Sequence, residues 1–282
     1  MNTPARKKRN VAVIGFPVDR SRYPDIHSYW IAQHGILAEY ERIAIEADDL
    51  DGGLRMLQKG PYVGFNVTRP LKDVIIPHLD GIDRAAQIIG TVNTVVIRDD
   101  GTMHGANTDP WGFEQAMTDA FGAQVFTGKK ITILGAGHGA RSVLYALQNK
   151  SAAGITLCCR ATDNTHEIIN DFTALGLDIR TCDWDDMASA VNGTDILINA
   201  TPLGVVGGVP LDIDVSGVAA GGIVCDLIYA PVETALLKNA AAAGLKTQSG
   251  LYMALHQSRL AFKLWYDILP DIDADMIKML HS

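Results

Sequence analysis

The sequence predicts an α/β protein made of two α/β domains in series, and three observations carry that expectation. Its 282 residues are long for one hydrophobic core and comfortable for two. Short apolar, β-rich runs alternate with runs of helical spacing, the pattern of strands laid into a largely parallel sheet with helices on its faces. The alternation breaks near residue 109 and then restarts with a strand, a glycine turn and a helix.

The elements follow in order. "VAVIGFPV" is a short apolar run that ends at Gly and Pro, the mark of a strand and its exit. "PDIHSYWIAQHGI" places Ile26, Trp30 and Ile31 at helical spacing and stops near Gly35. "YERIAIEA" alternates with period two. "DDLDGGLRMLQKG" reads as a helix with Asp48 or Asp49 as its cap, and "YVGFNVT" as a further strand. In "TVNTVVIRDDGTMHGAN" two strand-like runs meet at Asp100-Gly101, a hairpin signal. "NTDPWGFEQAM" opens a helix at Asp109-Pro110. Beyond it, "KKITILGAGHGARSVLYALQ" is strand, glycine turn and helix; "GITLCCRA", "DILINATP" and "GIVCDLIYAP" are further β-rich runs. "PVETALLKNAAAAGLKT" is a helix closing at Gly244, and more helices follow from "GLYMALHQSRLAFKLW".

Composition narrows the function. A 48% hydrophobic, 20% charged chain is that of an ordinary globular protein, and a net charge of −8 argues against nucleic acid or an anionic membrane as main partner. The one basic run, "ARKKRN", reads as a tail rather than a signal peptide. No apolar run approaches the roughly 18 residues that span a bilayer. Cys158, Cys159, Cys182 and Cys225 form no CxxC pair and sit in strand-like surroundings, which argues against a metal site or a disulfide framework and for a cytoplasmic location.

The turn carries chemistry. Gly135, Gly137 and Ala140 fit G-x-G-x-x-[GA] between a strand and a helix, with Ala136, His138 and Gly139 filling the motif. The first glycine permits the tight turn, the second lets backbone approach a pyrophosphate, and Ala140 keeps the helix close to the strand. At the end of the next strand, where a carboxylate would select NAD, stand Cys159 and Arg160. A guanidinium suits a 2′-phosphate, so NADP is favoured while NAD stays open.

Three polar islands remain: "NVTRPLK" (66–72), "TVNT" (91–94) and "GANTDPWG" (105–112). With "SRYP" (21–24), "NATPLG" (199–204), "DLIYAP" (226–231) and "GLYMALHQ" (250–257), the chain resembles the shikimate dehydrogenase family, in order along essentially its whole length. The resemblance implies an N-terminal substrate domain of residues 1–109 plus 250–282. It implies a C-terminal Rossmann-type dinucleotide-binding domain of residues 110–249, with a deep cleft between them. It implies reduction of 3-dehydroshikimate to shikimate with NADPH. Lys72 and Asp109 stand where the family has its catalytic pair. Thr68 and Asn93 match residues that bind ring hydroxyls, Gln257 a substrate-contacting glutamine, Tyr229 a tyrosine lining the cleft, and Ser21 a hydroxyl holding the substrate carboxylate. Asn199, Thr201 and Gly250 fall in motifs beside the cofactor.

Such roles fit the chemistry. A ketone that accepts hydride needs a proton and a nearby positive charge, and a lysine ammonium supplies both. The proton belongs to the Lys–Asp pair as a unit. Two departures stand out. Where the family has S-x-S-P or S-x-T-P, this chain has Ser21-Arg22-Tyr23-Pro24, so the Tyr23 phenol either enters the substrate pocket or packs outside it. Where NADP-preferring members show Asn-Arg-Thr and a further basic residue, this chain has Cys159-Arg160-Ala161 and Asn164, which implies shallow discrimination against NAD. A quinate or related cyclohexane-acid dehydrogenase, and a non-catalytic sensor of the same fold, stay open as alternatives. The oligomeric state is not legible.

Overall fold

The computed structural model describes residues 9–19, 21–160 and 163–281. Most of the basic run "ARKKRN", Ala161 and the side chains of Asp163 and Asn164 fall outside that description. Two compact units emerge, one from the residues up to Thr108 together with those from Gln257 onward, the other from Asp109–His256.

The first unit holds β1 (Asn10–Gly15), α1 (Tyr23–Gln33), β2 (Tyr40–Ala44), α2 (Leu50–Lys59), β3 (Tyr62–Val67), α3 (Leu71–Val74), β4 (Gly81–Ile82), α4 (Arg84–Ile89), β5 (Thr94–Ile97) and β6 (Met103–Ala106). Its sheet runs in the order β2-β1-β3-β5-β6-β4. Strands β2, β1 and β3 are parallel, but β5 runs antiparallel to β3 and to β6, so this sheet is mixed rather than largely parallel. The Asp100-Gly101 turn accounts for the β5–β6 reversal. Gly101 has φ +85°, and Asp100 Oδ1 accepts from Thr102 N at 2.9 Å and Thr102 Oγ1 at 2.7 Å.

Asp49 precedes α2 without making a side-chain cap bond, because Ala47–Asp49 close a short 3-10 turn of their own. Asp83, by contrast, caps α4, accepting from Ala86 N at 2.7 Å. Ile14, Leu57, Phe65, Val67, Leu71 and Val95 form the buried centre of the unit. Burial of each such side chain contributes roughly 1.5–3 kcal/mol.

The second unit holds α5 (Asp109–Phe121), β7 (Lys130–Leu134), α6 (His138–Ala146), β8 (Gly154–Cys159), α7 (Asp163–Thr173), β9 (Ile179–Asp183), α8 (Met187–Val191), β10 (Ile196–Asn199), β11 (Ile223–Asp226), α9 (Ala235–Ala242) and β12 (Lys246–Ser249). Its sheet is parallel throughout, in the order β12-β11-β10-β7-β8-β9. β7 lies between β8 and β10, so the strand order reverses there and the carboxyl ends of β7 and β10 frame a crevice. Helix α10 (Gly250–Tyr266) carries the chain back to the first unit, where α11 (Ala274–His281) follows. The four cysteines stand on β8, β9 and β11 as free thiols. Among the described residues no helix is long and apolar enough to cross a membrane.

Candidate active site

In the first unit the polar islands are sewn to one another by buried hydrogen bonds. Thr68 N donates to Ile14 O at 2.9 Å, and a Cβ on Gly15 would meet Thr68 Cγ2 at 2.6 Å and Arg69 O at 2.7 Å, so the loop after β3 lies flat on the end of β1. This loop leads into α3, which carries Lys72. The Lys72 carbonyl accepts from Val92 N at 2.7 Å, and Val67 N donates to Asn93 O at 2.9 Å. Lys72, Thr68 and Asn93 are thereby tied to one stretch of backbone.

Asn93 is fully buried and acts as the hub. Its Oδ1 accepts from Thr94 Oγ1 at 3.0 Å and from Thr108 N at 3.0 Å. The Thr108 hydroxyl stands 3.1 Å from Asn93 Oδ1 and 3.0 Å from Gln257 Oε1, its one proton serving one of them at a time. Asn93 Nδ2 reaches Gln257 Oε1 at 3.4 Å, a long bond that a ligand hydroxyl can replace. Behind the hub, Asn66 Nδ2 donates to Thr94 Oγ1 at 3.1 Å, and Tyr40 Oη donates to Asn66 Oδ1 at 2.7 Å. Asn107 Nδ2 binds Thr91 O at 2.9 Å, closing 91–94 onto 105–108. Asp109, the first residue of α5, follows Thr108 directly.

Ser21 and Tyr23 flank the start of α1. Ser21 Oγ accepts from Tyr23 N at 3.3 Å, and the half-buried Tyr23 ring lies 6.2 Å from that of His27, tilted by 38°. His27 is buried outright, stacked on Tyr40 at 4.8 Å and 6°, and neither ring nitrogen has a hydrogen-bond partner. Burial drives its pKa down from 6.5 to about 3, opposed by the nearby Asn66 amide.

The second unit places the other set. A cavity of about 520 Å³ is lined by Gly135–Gly137, Cys159, Arg160, Trp184 and Ala200–Leu203. Gly135 has φ +97°, and a Cβ there would meet Thr201 Cγ2 at 2.8 Å. Gly137 has ordinary φ, and a Cβ on it would meet nothing within 4 Å, standing in the open space that a pyrophosphate needs. His138 and Gly139 begin α6, and Ala140 is fully buried. The turn, the exposed Arg160 and the cavity's size fit a dinucleotide.

Asn199 stands behind Thr201: its Oδ1 accepts from Thr201 N at 3.0 Å and Thr201 Oγ1 at 2.7 Å. Asn199 Nδ2 donates to Asp226 Oδ1 at 3.0 Å, and Asp226 Oδ2 accepts from Thr234 Oγ1 at 2.7 Å, joining the loops after β10 and β11. Burial raises the pKa of this nearly inaccessible carboxyl, and its hydrogen bonds oppose the rise. Tyr229 is 42% exposed in the loop after β11, and Gly250 lies so close to the Leu227 carbonyl that no side chain fits.

Several residues in these networks escaped sequence reasoning. Asn66 and Thr108 lie inside quoted motifs, and their polarity between apolar neighbours was the available signal. Asp226 opens the quoted "DLIYAP", but its bond to Asn199 joins two separate strands; Trp184 carries no local signal.

Comparison with known proteins agrees in both units. Residues 13–95 match the model of the shikimate dehydrogenase substrate binding domain, and residues 118–203 that of shikimate / quinate 5-dehydrogenase. The shikimate dehydrogenase (NADP(+)) of Rhodospirillum rubrum is 36% identical over 268 residues, 95% of either chain. The shikimate 5-dehydrogenase of Thermus thermophilus, solved in complex with NADP(H) and shikimate, has a TM-score of 0.83 at 30% identity, covering 97% of this chain and 98% of that one. A quinate dehydrogenase of Corynebacterium glutamicum in complex with NAD gives a TM-score of 0.85, also at 30% identity, with 97% of both chains covered.

Proposed function

The chain belongs to the shikimate dehydrogenase family, and on that premise we propose that it interconverts 3-dehydroshikimate and shikimate with NADP(H). The observation that carries this is the match over 95% of the chain to a shikimate dehydrogenase (NADP(+)). NADPH, when bound, supplies a hydride. Gly135–Gly137, the start of α6, Arg160 and Thr201 would hold it.

Lys72 holds a proton at Nζ and presents a positive charge to the ketone oxygen as that oxygen becomes an alkoxide. Asp109 carries the compensating negative charge, so the two groups serve as one acid–base pair. Asn93, Thr68 and Gln257 hold ring hydroxyls. The buried backing of Asn93 by Thr94 and Thr108 supports that reading, because it fixes the amide before a ligand arrives. Ser21 takes the carboxylate, and Tyr229 lines the pocket. The free thiols suit a reducing cytoplasm.

The test is NADPH consumption with 3-dehydroshikimate, set beside quinate and shikimate with NADP and NAD. Turnover confined to quinate would overturn the substrate assignment. In the same assay Lys72→Ala should lower kcat by about 10²–10⁴ while shikimate binding persists, and an unchanged kcat would remove the proton-transfer role.

A further inference from the structure

We propose that Trp184 is the platform on which the adenine of the dinucleotide stacks, an inference that rests on the NADP reading above. Cys159 and Asp183 are register partners at the carboxyl ends of the adjacent parallel strands β8 and β9. The residues that follow them, Arg160 and Trp184, therefore leave the sheet side by side, and both line the same cavity of about 520 Å³.

Covalent chemistry then fixes where the base lies. Phosphates sit at the glycine turn and the start of α6, and the 2′-phosphate sits on Arg160. The base is bonded to the ribose carbon next to the one that bears the 2′-phosphate, so it must come to rest close to Arg160. Among the described side chains lining the cavity there, the Trp184 indole is the one aromatic face; Ala136, Cys159 and Ala200 are small.

The indole is also held in advance of binding. Trp184 packs against the core that includes Val191, Leu197 and Leu211, and remains partly exposed toward the cavity it lines. Asp183 Oδ1 accepts from Asp185 N at 3.2 Å and pins the turn that Trp184 opens. A platform already ordered loses little side-chain freedom on binding. A stack reads the base and ignores the 2′-phosphate, so it strengthens NADP and NAD alike. The shallow discrimination expected of a lone Arg160 follows from the same arrangement.

The test is calorimetric titration of the full chain with adenosine 2′,5′-bisphosphate, 5′-AMP and nicotinamide mononucleotide. Trp184→Ala should weaken both adenine nucleotides by a common factor of roughly tenfold, leave nicotinamide mononucleotide unchanged, and be largely rescued by Trp184→Phe. Arg160→Ala should weaken the bisphosphate and spare AMP. A second readout covers misfolding of the alanine variant: AMP should quench tryptophan emission in the wild type and not in Trp184→Phe. Wild-type affinity for both adenine nucleotides in folded Trp184→Ala overturns the stack, as does unchanged quenching in Trp184→Phe. A wild-type chain that binds neither adenine nucleotide overturns the cofactor reading and the stack together.

Discussion

The Tyr23 ring lies 6.2 Å from that of His27, and this contact decides what its replacement does. The ring helps to cover a stack that runs from His27 to Tyr40, so the phenol is engaged in packing at the edge of the first unit's core. Tyr23→Ser should therefore cost about 1–3 kcal/mol of stability, read as a lowered urea midpoint, while KM for shikimate stays within about twofold. A KM that improves tenfold would place the phenol in the carboxylate pocket instead. At this scale the sequence was legible where polarity interrupts an apolar pattern. The islands that hold Lys72, Asn93 and Asp109 stood out for that reason, while their roles came from the family resemblance; Asn93 lies at the centre of a buried network. His27 did not stand out. It falls between Ile26 and Trp30 in a helix of ordinary periodicity, and its partners come from β2 and from α10, far along the chain.

Among elements, the turn between β7 and α6 separates two uses of glycine. Gly135 is required by the fold: φ +97° disfavours any L side chain, and a Cβ would press on Thr201 Cγ2. The fold makes no such demand at Gly137, whose backbone is unstrained and whose missing Cβ leaves the open space that the proposed pyrophosphate site needs. Gly135→Ala should lose about 1–3 kcal/mol of stability. Gly137→Ala should melt like the wild type yet raise KM for NADP at least tenfold, and a normal KM there would remove the pyrophosphate from this turn. The motif made that pair legible because strand, turn and helix are contiguous in sequence. The mixed character of the first sheet was not legible in the same way. Strand alternation suggested parallel neighbours, but the pairing of β3 with β5 is settled by tertiary contact, and only the β5–β6 reversal has a local signal in Asp100-Gly101.

For the whole molecule the consequence of the buried imidazole is a pH-dependent stability. Burial disfavours the His27 cation and lowers its pKa from 6.5 in the unfolded chain to about 3 in the folded one, against the opposing pull of the Asn66 amide. Between those values the unfolded chain binds the extra proton, so stability rises with pH there. The contribution is complete above about pH 6.5 and is lost on acidification toward pH 3, at about 1.4 kcal/mol per pH unit. Asp83 and Asp226 act in the opposite sense: burial raises both pKa values, so the folded chain takes up their protons first as pH falls. His27→Phe isolates the imidazole, because every carboxyl is common to the two proteins. Trp30 and Trp265, buried in the same aromatic cluster, report its unfolding by fluorescence. Urea midpoints measured from pH 7 to pH 4.5 should fall more steeply for the wild type than for His27→Phe, with the difference growing by that slope. Parallel curves would mean that the imidazole meets a partner or water in the folded protein, and the stack around His27 would then be more open than its burial implies.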